Sequence, residues 1–197
     1  MMEADERRPR RRGRRRQSNM APWLRETLEW VKALAIALAV TLLLRAFVVD
    51  FVRVEGPSME PNLLTGERLM VNRFIYRFKD PVRGQIVICT FPDAPGLYVK
   101  RVIGLPGETI QVQDGVCYVD GQPLNEPYIK ETMLEDFAAY TVPEDTVFVM
   151  GDNRNHSNDS RDVTLGTVDE RYVLGRAVCV LLPFQNFGMI PEGEQTR

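Results

Sequence analysis

Two residues of the sequence, Ser58 and Lys100, have the side chains of a nucleophile and a general base. A serine hydroxyl attacks a carbonyl carbon readily only when a neighbouring base removes its proton. A lysine can be that base when burial lowers its pKa from an ordinary value of about 10.4, because burial disfavours the ammonium form. Lys100 is followed by Arg101 in an alternating apolar segment, and alternation points the two side chains to opposite faces. One of them therefore faces inward, unless the strand contains a bulge.

Neither residue is diagnostic by itself. Ser58 stands in the turn-forming sequence Gly-Pro-Ser-Met-Glu-Pro, directly after a strand-like segment. Such a turn can expose a hydroxyl beside its own backbone N–H, but serines are common in ordinary turns. Lys100 could equally face water. Chemistry requires that the fold bring the two together.

A polar segment over residues 150–161 could hold such a site in place. It reads Met-Gly-Asp-Asn-Arg-Asn-His-Ser-Asn-Asp-Ser-Arg and is dense in hydrogen-bonding side chains. Carboxylates and guanidinium groups at this density can pair with one another and fix a hydroxyl. A plain surface loop would have a similar composition.

The elements that must position these residues are strands. Beyond residue 49, short β-like runs alternate with turn residues, and no βαβ alternation is visible, so we predict an all-β, mostly antiparallel domain. Asp114-Gly115 is a strong hairpin signal, and Asp120-Gly121 turns the chain again. The predicted strands cover residues 48–54, 69–74, 85–91, 97–103, 109–113, 116–119, 146–150 and 176–182.

Charge is distributed unevenly along the chain. Residues 1–20 contain eight arginines against three carboxylates, a charge of +5, so the remainder carries −7 of the total of −2. A basic head of this kind could bind nucleic acid, but no aromatic residue interleaves the arginines and an apolar stretch follows. We therefore expect no nucleic-acid partner and a cytoplasmic tail beside a lipid bilayer.

The apolar stretch runs from Trp30 to Val49 and is interrupted by Lys32 and Arg45. With these charges near its ends it reaches the roughly 20 residues that span a bilayer. A cleaved secretory signal peptide is the rival interpretation, but no A-x-A-like site follows. The expected organisation is a basic cytoplasmic tail over residues 1–28, a transmembrane helix over 29–49 and an extracytoplasmic catalytic domain over 50–197.

Cofactor chemistry is not indicated. The three cysteines, Cys89, Cys117 and Cys179, form no CxxC pair and each lies among apolar positions, so we expect small core residues. The single histidine, His156, argues against catalytic zinc. We expect neither a metal nor another cofactor.

Taken together and in order, four segments resemble the type I signal peptidases, or leader peptidases, a serine protease family with a Ser–Lys dyad. The segments match V-x-G-x-S-M-x-P, G-E-R-L-M-V-N, Y-V-K-R-V-I-G-L-P-G-E and G-D-N-R-x-x-S-x-D-S-R. The resemblance covers roughly residues 33–182. Any one motif would be weak, but four in sequence are specific.

The resemblance implies a role for each matching residue. Ser58 would be the nucleophile, with its own N–H in the oxyanion hole, and Lys100 the general base. Ser157 would orient the lysine, and Met59 would pack beside the dyad. Charged residues that would hold the region in shape are Asp152, Arg154, Asp159 and Arg161. Residues that would line shallow apolar pockets are Val52, Val54, Tyr98 and Val99.

The resemblance also implies the substrates, which are exported preproteins cleaved after small residues at −1 and −3. Two positions depart from the family pattern. Gly56 stands where some members have a serine that assists the oxyanion hole, so the second oxyanion donor is open. Asn62 replaces a more usual threonine.

Three alternatives stay open at this point. A histidine-dependent triad would use His156, but G-x-S-x-G is absent. A self-cleaving repressor-type Ser–Lys peptidase shares a related core, but the apolar stretch counts against it. A catalytically silent membrane-tethered module would not need Ser58, Lys100 and Ser157 together.

Overall fold

The computed structural model describes residues 22–47, 49–92 and 94–191, and the basic head over residues 1–20 lies outside them. The chain divides into two compact units between Thr41 and Leu42. The first contains most of a helix, and the second contains the strands.

The helix, α1 (Pro22–Phe47), begins ahead of the anchor predicted at residue 29. Proline is favoured in the first helical turn because its φ is already helical and its missing N–H would have no partner there. Apolar side chains such as Leu34 and Ile36 are well exposed along the helix. Among the described residues, no helix combines the length and apolarity that crossing a membrane requires.

The second unit is built on two antiparallel sheets, which confirms the predicted β architecture. The larger sheet has the order β1-β2-β11-β3-β4-β9-β10, with β12 paired to β11. The smaller sheet has the order β7-β6-β5-β8. The strands are β1 (Val49–Arg53), β2 (Arg68–Asn72), β3 (Ile86–Phe91), β4 (Ala94–Gly104), β5 (Thr109–Gln113), β6 (Val116–Val119), β7 (Gln122–Pro123), β8 (Phe137–Thr141), β9 (Thr146–Met150), β10 (Val168–Asp169), β11 (Val173–Leu182) and β12 (Gly188–Met189).

The hairpin predicted at Asp114-Gly115 joins β5 to β6. Both turn residues have positive φ, +51° and +78°, as a two-residue hairpin turn requires. A Cβ at Gly115 would also lie only 3.1 Å from the carbonyl oxygen of Met133. Glycine is therefore required there by backbone conformation and by close approach.

Four strands were not predicted, namely β7, β8, β10 and β12. Three have only two residues, too few for an alternating pattern. The fourth, β8, lies between residues 130 and 144, where the sequence pattern predicts no element, and most of its side chains are exposed. Apolar alternation cannot mark a strand that buries so little.

Buried side chains from β1 to β4 determine where the polar residues of the candidate site lie. Val52, Val54 and Leu69 pack with Met59 and Leu63, which anchor the turn that carries Ser58.

The three cysteines are all buried and unpaired, as expected.

Candidate active site

Ser58 and Lys100 line the same open cleft, which has a volume of about 740 Å³. Ser58 comes from the turn after β1, and Lys100 comes from β4. These two strands are not neighbours in the sheet, because β2, β11 and β3 lie between them. The cleft therefore depends on the pairing of the five strands from β1 to β4 in this order.

The turn that carries Ser58 is held by buried residues and by its own hydrogen bonds. The N–H groups of Asn62 and Leu63 both donate to the carbonyl oxygen of Met59, each at 3.0 Å. Met59 and Leu63 are buried, whereas Ser58 is half-buried and accessible from the cleft. Gly56 enters the turn with a φ of +80°, a conformation that strains any residue with a side chain.

Lys100 is almost completely buried, with 2% of its surface exposed. Its Nζ donates a hydrogen bond to Ser157 Oγ at 2.9 Å. Burial lowers the pKa of Lys100 below its ordinary value of 10.5, and the nearby carboxylate of Asp159 offsets part of that effect. At a given pH, a larger fraction of Lys100 is therefore in the neutral amine form than for a lysine in water.

Gly151 lets the backbone at Ser58 approach Ser157. A Cβ at position 151 would collide with Ser157 Oγ and with the carbonyl oxygen of Ser58. Only a residue without a side chain allows the turn of Ser58 and the hydroxyl that binds Lys100 to lie so close together. The segment Met-Gly-Asp-Asn does not by itself predict this packing role.

Asn153 fastens the turn of Ser58 to the polar loop. Its N–H donates to the carbonyl oxygen of Ser58 at 3.0 Å, and its Nδ2 donates to that of Pro57 at 3.1 Å. His156 Nδ1 lies 3.3 Å from Asn153 Oδ1, which is an amide oxygen and not the carboxylate of a Ser-His-Asp triad.

Asp152 joins both sides of the site. Its carboxylate accepts two hydrogen bonds from Arg101, at 2.7 and 2.6 Å, and one from Asn62 Nδ2 at 2.8 Å. Arg101 follows Lys100 on β4, and Asn62 belongs to the turn of Ser58. The sequence predicted a shaping role for Asp152 but identified neither partner.

Asp159 pairs with Arg161 inside the loop. The carboxylate accepts hydrogen bonds from Arg161 Nε and Nη2, both at 2.9 Å, and from the N–H of Gly151 at 2.9 Å. Burial alone would raise the pKa of Asp159, but bonds from Arg161, Gly151 and the Ser157 hydroxyl lower it below its ordinary value. The hydroxyl of Ser157 thus lies between an ionised carboxylate and the amine of Lys100.

Arg154 pairs outside the loop, with Glu126. The guanidinium makes two hydrogen bonds to this carboxylate, and both side chains are almost fully buried. Arg154 Nε also donates to the carbonyl oxygen of Gly151 at 3.1 Å. Of the four charged residues predicted to shape the site, only Asp159 and Arg161 pair with each other.

The four predicted pocket residues all lie on the cleft. Val52, Val54 and Val99 are buried, and the ring of Tyr98 packs edge-on against Phe91 with 5.0 Å between centroids. Met59 and the exposed His156 lie on the cleft as well. Over the described ranges, no cluster of histidine, cysteine and carboxylate side chains could hold a metal ion.

A serine and a buried amine of lowered pKa on one cleft of a β-rich domain are suited to nucleophilic hydrolysis of an acyl bond. Comparison with known proteins defines the family more closely. The signature of the family described as signal peptidase, peptidase S26, matches residues 27–182. The chain belongs to this family, and it is accordingly a peptidase.

Relatives from several bacteria support the assignment. A signal peptidase I from Bacillus licheniformis is 43% identical over 79% of this chain and 89% of its own length. Signal peptidase I T from Bacillus subtilis is 41% identical over 80% and 86%. A probable signal peptidase I from Synechocystis is 38% identical over 86% and 89%. The crystal structure of a signal peptidase I from Enterococcus faecalis, 35% identical, aligns with a TM-score of 0.46 over 51% of this chain and 98% of its own.

Proposed function

We propose that this peptidase removes signal peptides from exported preproteins, with Ser58 as nucleophile and Lys100 as general base. The observation that carries the proposal is the burial of Lys100, with its lowered pKa, on the cleft that also exposes Ser58. A lysine of ordinary pKa is almost entirely protonated at neutral pH and so could not accept the serine proton.

The proposed reaction proceeds in two halves. Neutral Lys100 takes the proton from Ser58 Oγ while the oxygen attacks the scissile carbonyl carbon. The N–H of Ser58 would donate to the resulting oxyanion. The lysine ammonium then protonates the departing amine, and an acyl-enzyme forms as the peptide bond breaks. Lys100, neutral again, takes a proton from a water whose oxygen attacks the acyl carbon. It returns this proton to Ser58 Oγ as the ester bond breaks, which releases the signal peptide and regenerates Ser58 and neutral Lys100.

Ser157 would act on the lysine and not on the substrate. Its hydroxyl accepts a hydrogen bond from Lys100 Nζ and contributes a hydrogen bond to Asp159. A side chain with four rotatable bonds is thereby restricted to one orientation, with the amine on the cleft. We therefore assign Ser157 as a positioning residue.

The cleft walls support a preference for small residues at −1 and −3 of the substrate. Val52, Val54 and Val99 are buried and also line the cleft, so they present an apolar wall that is part of the core. Alanine-sized side chains could pack against this wall without displacing core residues, and larger ones would press against it.

We further propose that the chain is attached to the cell membrane by its N-terminal segment, with the N-terminus in the cytoplasm and the peptidase domain outside. The well-exposed apolar side chains of α1, such as Leu34 and Leu42, support attachment. The apolar stretch of the sequence extends to Val49, beyond the last helix side chain that the structure describes. The excess of arginine over residues 1–20 favours the stated orientation.

Cleavage of a synthetic preprotein peptide containing an A-x-A site tests the peptidase proposal. We expect the full-length protein in detergent to cut after the second alanine, and Ser58→Ala and Lys100→Ala to lower kcat/KM by a factor of about 10³ or more. Lys79→Ala, at an exposed lysine, is the matched control and should retain activity.

Other outcomes separate the alternatives. Loss of activity in His156→Ala, with activity retained in Lys100→Ala, would favour a histidine base. If the wild-type protein is folded in lipid but cuts neither the peptide nor its own chain, a catalytically silent module is favoured. Self-cleavage without cleavage of the peptide would favour the repressor-type peptidase.

Fractionation of cells tests attachment to the membrane. Leu38→Arg combined with Leu42→Arg places two charges in the apolar stretch and should move the protein from the membrane to the soluble fraction. Leu134→Arg, at an exposed leucine of the second unit, should leave it in the membrane fraction. A wild-type protein found in the soluble fraction would contradict attachment.

A further inference from the structure

The side-chain amide of Asn62 donates hydrogen bonds to two segments that are distant from it along the chain. Its Nδ2 donates to Asp152 Oδ2 at 2.8 Å and to the carbonyl oxygen of Tyr128 at 2.6 Å. Both donors of one NH₂ group are thereby used, and each acceptor belongs to a different segment. A threonine has a single hydroxyl donor and could serve only one acceptor at a time.

The acceptor Asp152 is rigid because Arg101 holds it. The guanidinium of Arg101 binds both carboxylate oxygens, donates to the carbonyl oxygen of Gly84 at 2.8 Å, and stacks over the ring of Tyr128 at 4.0 Å. Arg101 is itself fixed on β4 next to Lys100. Asn62 therefore connects the turn of Ser58 to the strand of Lys100 through one carboxylate.

We propose that Asn62 is a positioning residue that sets the separation between Ser58 and Lys100, an inference that rests on the proposed function. The turn of Ser58 is attached to the polar loop at two points. Asn153 holds its start, at Pro57 and Ser58, and Asn62 holds its end. Met59 and Leu63 still anchor the turn to the core when the second attachment is removed, but only Asn153 then sets its position relative to the polar loop. A displacement of about 1 Å at the nucleophile can cost as much as 100-fold in rate.

The cleft walls do not share this dependence. Val52 and Val54 are held by the pairing of β1 with β2 and by the bond from Val54 N–H to Glu67 O at 2.8 Å, and Val99 is held by the pairing of β3 with β4. Loss of Asn62 should therefore lower kcat and leave KM nearly unchanged. A smaller folded fraction would also lower the apparent kcat at unchanged KM, so the folded fraction of each variant must be equal, and rescue by a residue that keeps one donor identifies the positioning role.

The test is a series at position 62 in the full-length protein, with the A-x-A peptide as substrate. We expect kcat to fall between about 5-fold and 100-fold in Asn62→Ala, and less in Asn62→Thr, which keeps one donor. Asn62→Asp has the same shape but no donor and faces another carboxylate, so its kcat should be lowest. The matched control is Asn125→Ala, an exposed asparagine on the same cavity as Asn62.

Active wild-type protein with unchanged kcat in Asn62→Ala and Asn62→Asp would overturn the inference. Equal kcat in the alanine and threonine variants would also overturn it, since rescue by one donor is required. Failure of the proposed function is distinct, because the wild-type protein would then not cut the peptide. Thermal unfolding of each variant shows whether folded protein is being compared.

Discussion

Lys100 and Arg101 are neighbours on β4, and both are buried, with 2% and 6% of their surfaces exposed. They line different cavities, as the alternation of a strand requires. Arg101 meets the carboxylate of Asp152, whereas the hydrogen-bond acceptor of Lys100 is the neutral hydroxyl of Ser157. A buried ammonium that faces a neutral hydroxyl loses its proton more readily than one that faces a carboxylate. The neutral partner of Lys100 therefore suits this lysine to act as a base.

The first prediction concerns the pH dependence of activity. Because the neutral form of Lys100 is the proposed base, kcat/KM should rise with pH as the ammonium loses its proton. The midpoint of this rise should lie below 10.5, since burial lowers the pKa of Lys100. Initial rates of peptide cleavage across the pH range measure it. A rate independent of pH, or a midpoint at or above 10.5, would contradict the assignment.

The second prediction concerns stability and the same lysine. A lowered pKa means that the unfolded chain binds more protons than the folded one between the folded pKa and 10.5, so the free energy of unfolding rises with pH in that window. Lys100→Met removes the buried ammonium. Its stability relative to wild type should be greatest below the folded pKa of Lys100 and should diminish as the pH approaches 10.5.

Chemical denaturation at a series of pH values checks this prediction. Lys130→Met, at an exposed lysine, is the control and should follow the wild-type profile. The prediction fails if Lys100→Met shows the same dependence of stability on pH as the wild-type protein.

The third prediction compares two Asp-x-Arg pairs of the same spacing. Asp159 pairs with Arg161 in the buried loop, and Asp169 pairs with Arg171 at an exposed turn. Removing one partner of a buried pair leaves a charge without compensation, so Asp159→Asn should lower the free energy of unfolding by about 3 kcal/mol. Asp169→Asn should have a far smaller effect, because water solvates the arginine that remains.

Lowering the pH should reduce the difference in stability between the wild-type protein and Asp159→Asn. The pKa of Asp159 in the folded protein is below 3.8, so its stabilisation is complete above the unfolded value and is lost as the pH falls through the folded pKa. The difference between wild type and Asp159→Asn should therefore narrow below about pH 4. A difference that stays constant on acidification would mean that Asp159 stabilises the fold without its charge.

The fourth prediction concerns the ion pair between Arg154 and Glu126. Glu126→Leu leaves a buried guanidinium without its carboxylate and should cost about 3–5 kcal/mol of unfolding free energy. Arg154→Met combined with Glu126→Leu removes both charges and should cost less than the sum of the two single changes. Urea denaturation of the wild-type protein, Arg154→Met, Glu126→Leu and the double variant measures the coupling, and strict additivity would show that the pair does not act as a unit.

The sequence predicted much of this fold because its strands follow the alternation of apolar residues. The predicted strand over residues 97–103 lies within β4, and the predicted strands 109–113 and 116–119 coincide with β5 and β6. Strands of two residues, and β8 with its exposed side chains, carry no such pattern. Their positions depend on pairing with distant strands, which no local signal records.

The site could be predicted only as far as its motifs extend. The motifs predict Ser58, Lys100 and Ser157 as site residues. In the structure Ser58 and Lys100 line one cleft, and Lys100 donates a hydrogen bond to Ser157. Glu126, the partner of Arg154, stands in the sequence Leu-Asn-Glu-Pro with nothing to mark it. Asn62 was noted only as a departure from the pattern, since its two acceptors are 66 and 90 residues away along the chain. Contacts of such range appear only once the sheets have formed.

The fifth prediction concerns the selection of small side chains. Val52 is buried beside the cleft, and Val52→Ala removes two methyl groups from the apolar wall, which should enlarge the space open to a substrate side chain. Discrimination of this kind is worth about 1–3 kcal/mol per methylene, or 10-fold to 200-fold in kcat/KM. The preference for alanine over valine at −1 or −3 should therefore weaken by about 10-fold or more. Val71→Ala is the matched control, because Val71 belongs to the same core but does not line the cleft. Both variants should lose stability, and only Val52→Ala should change the ratio of kcat/KM between the two peptides. An equal change of that ratio in both variants would show that selectivity follows the rigidity of the core and not the shape of the wall.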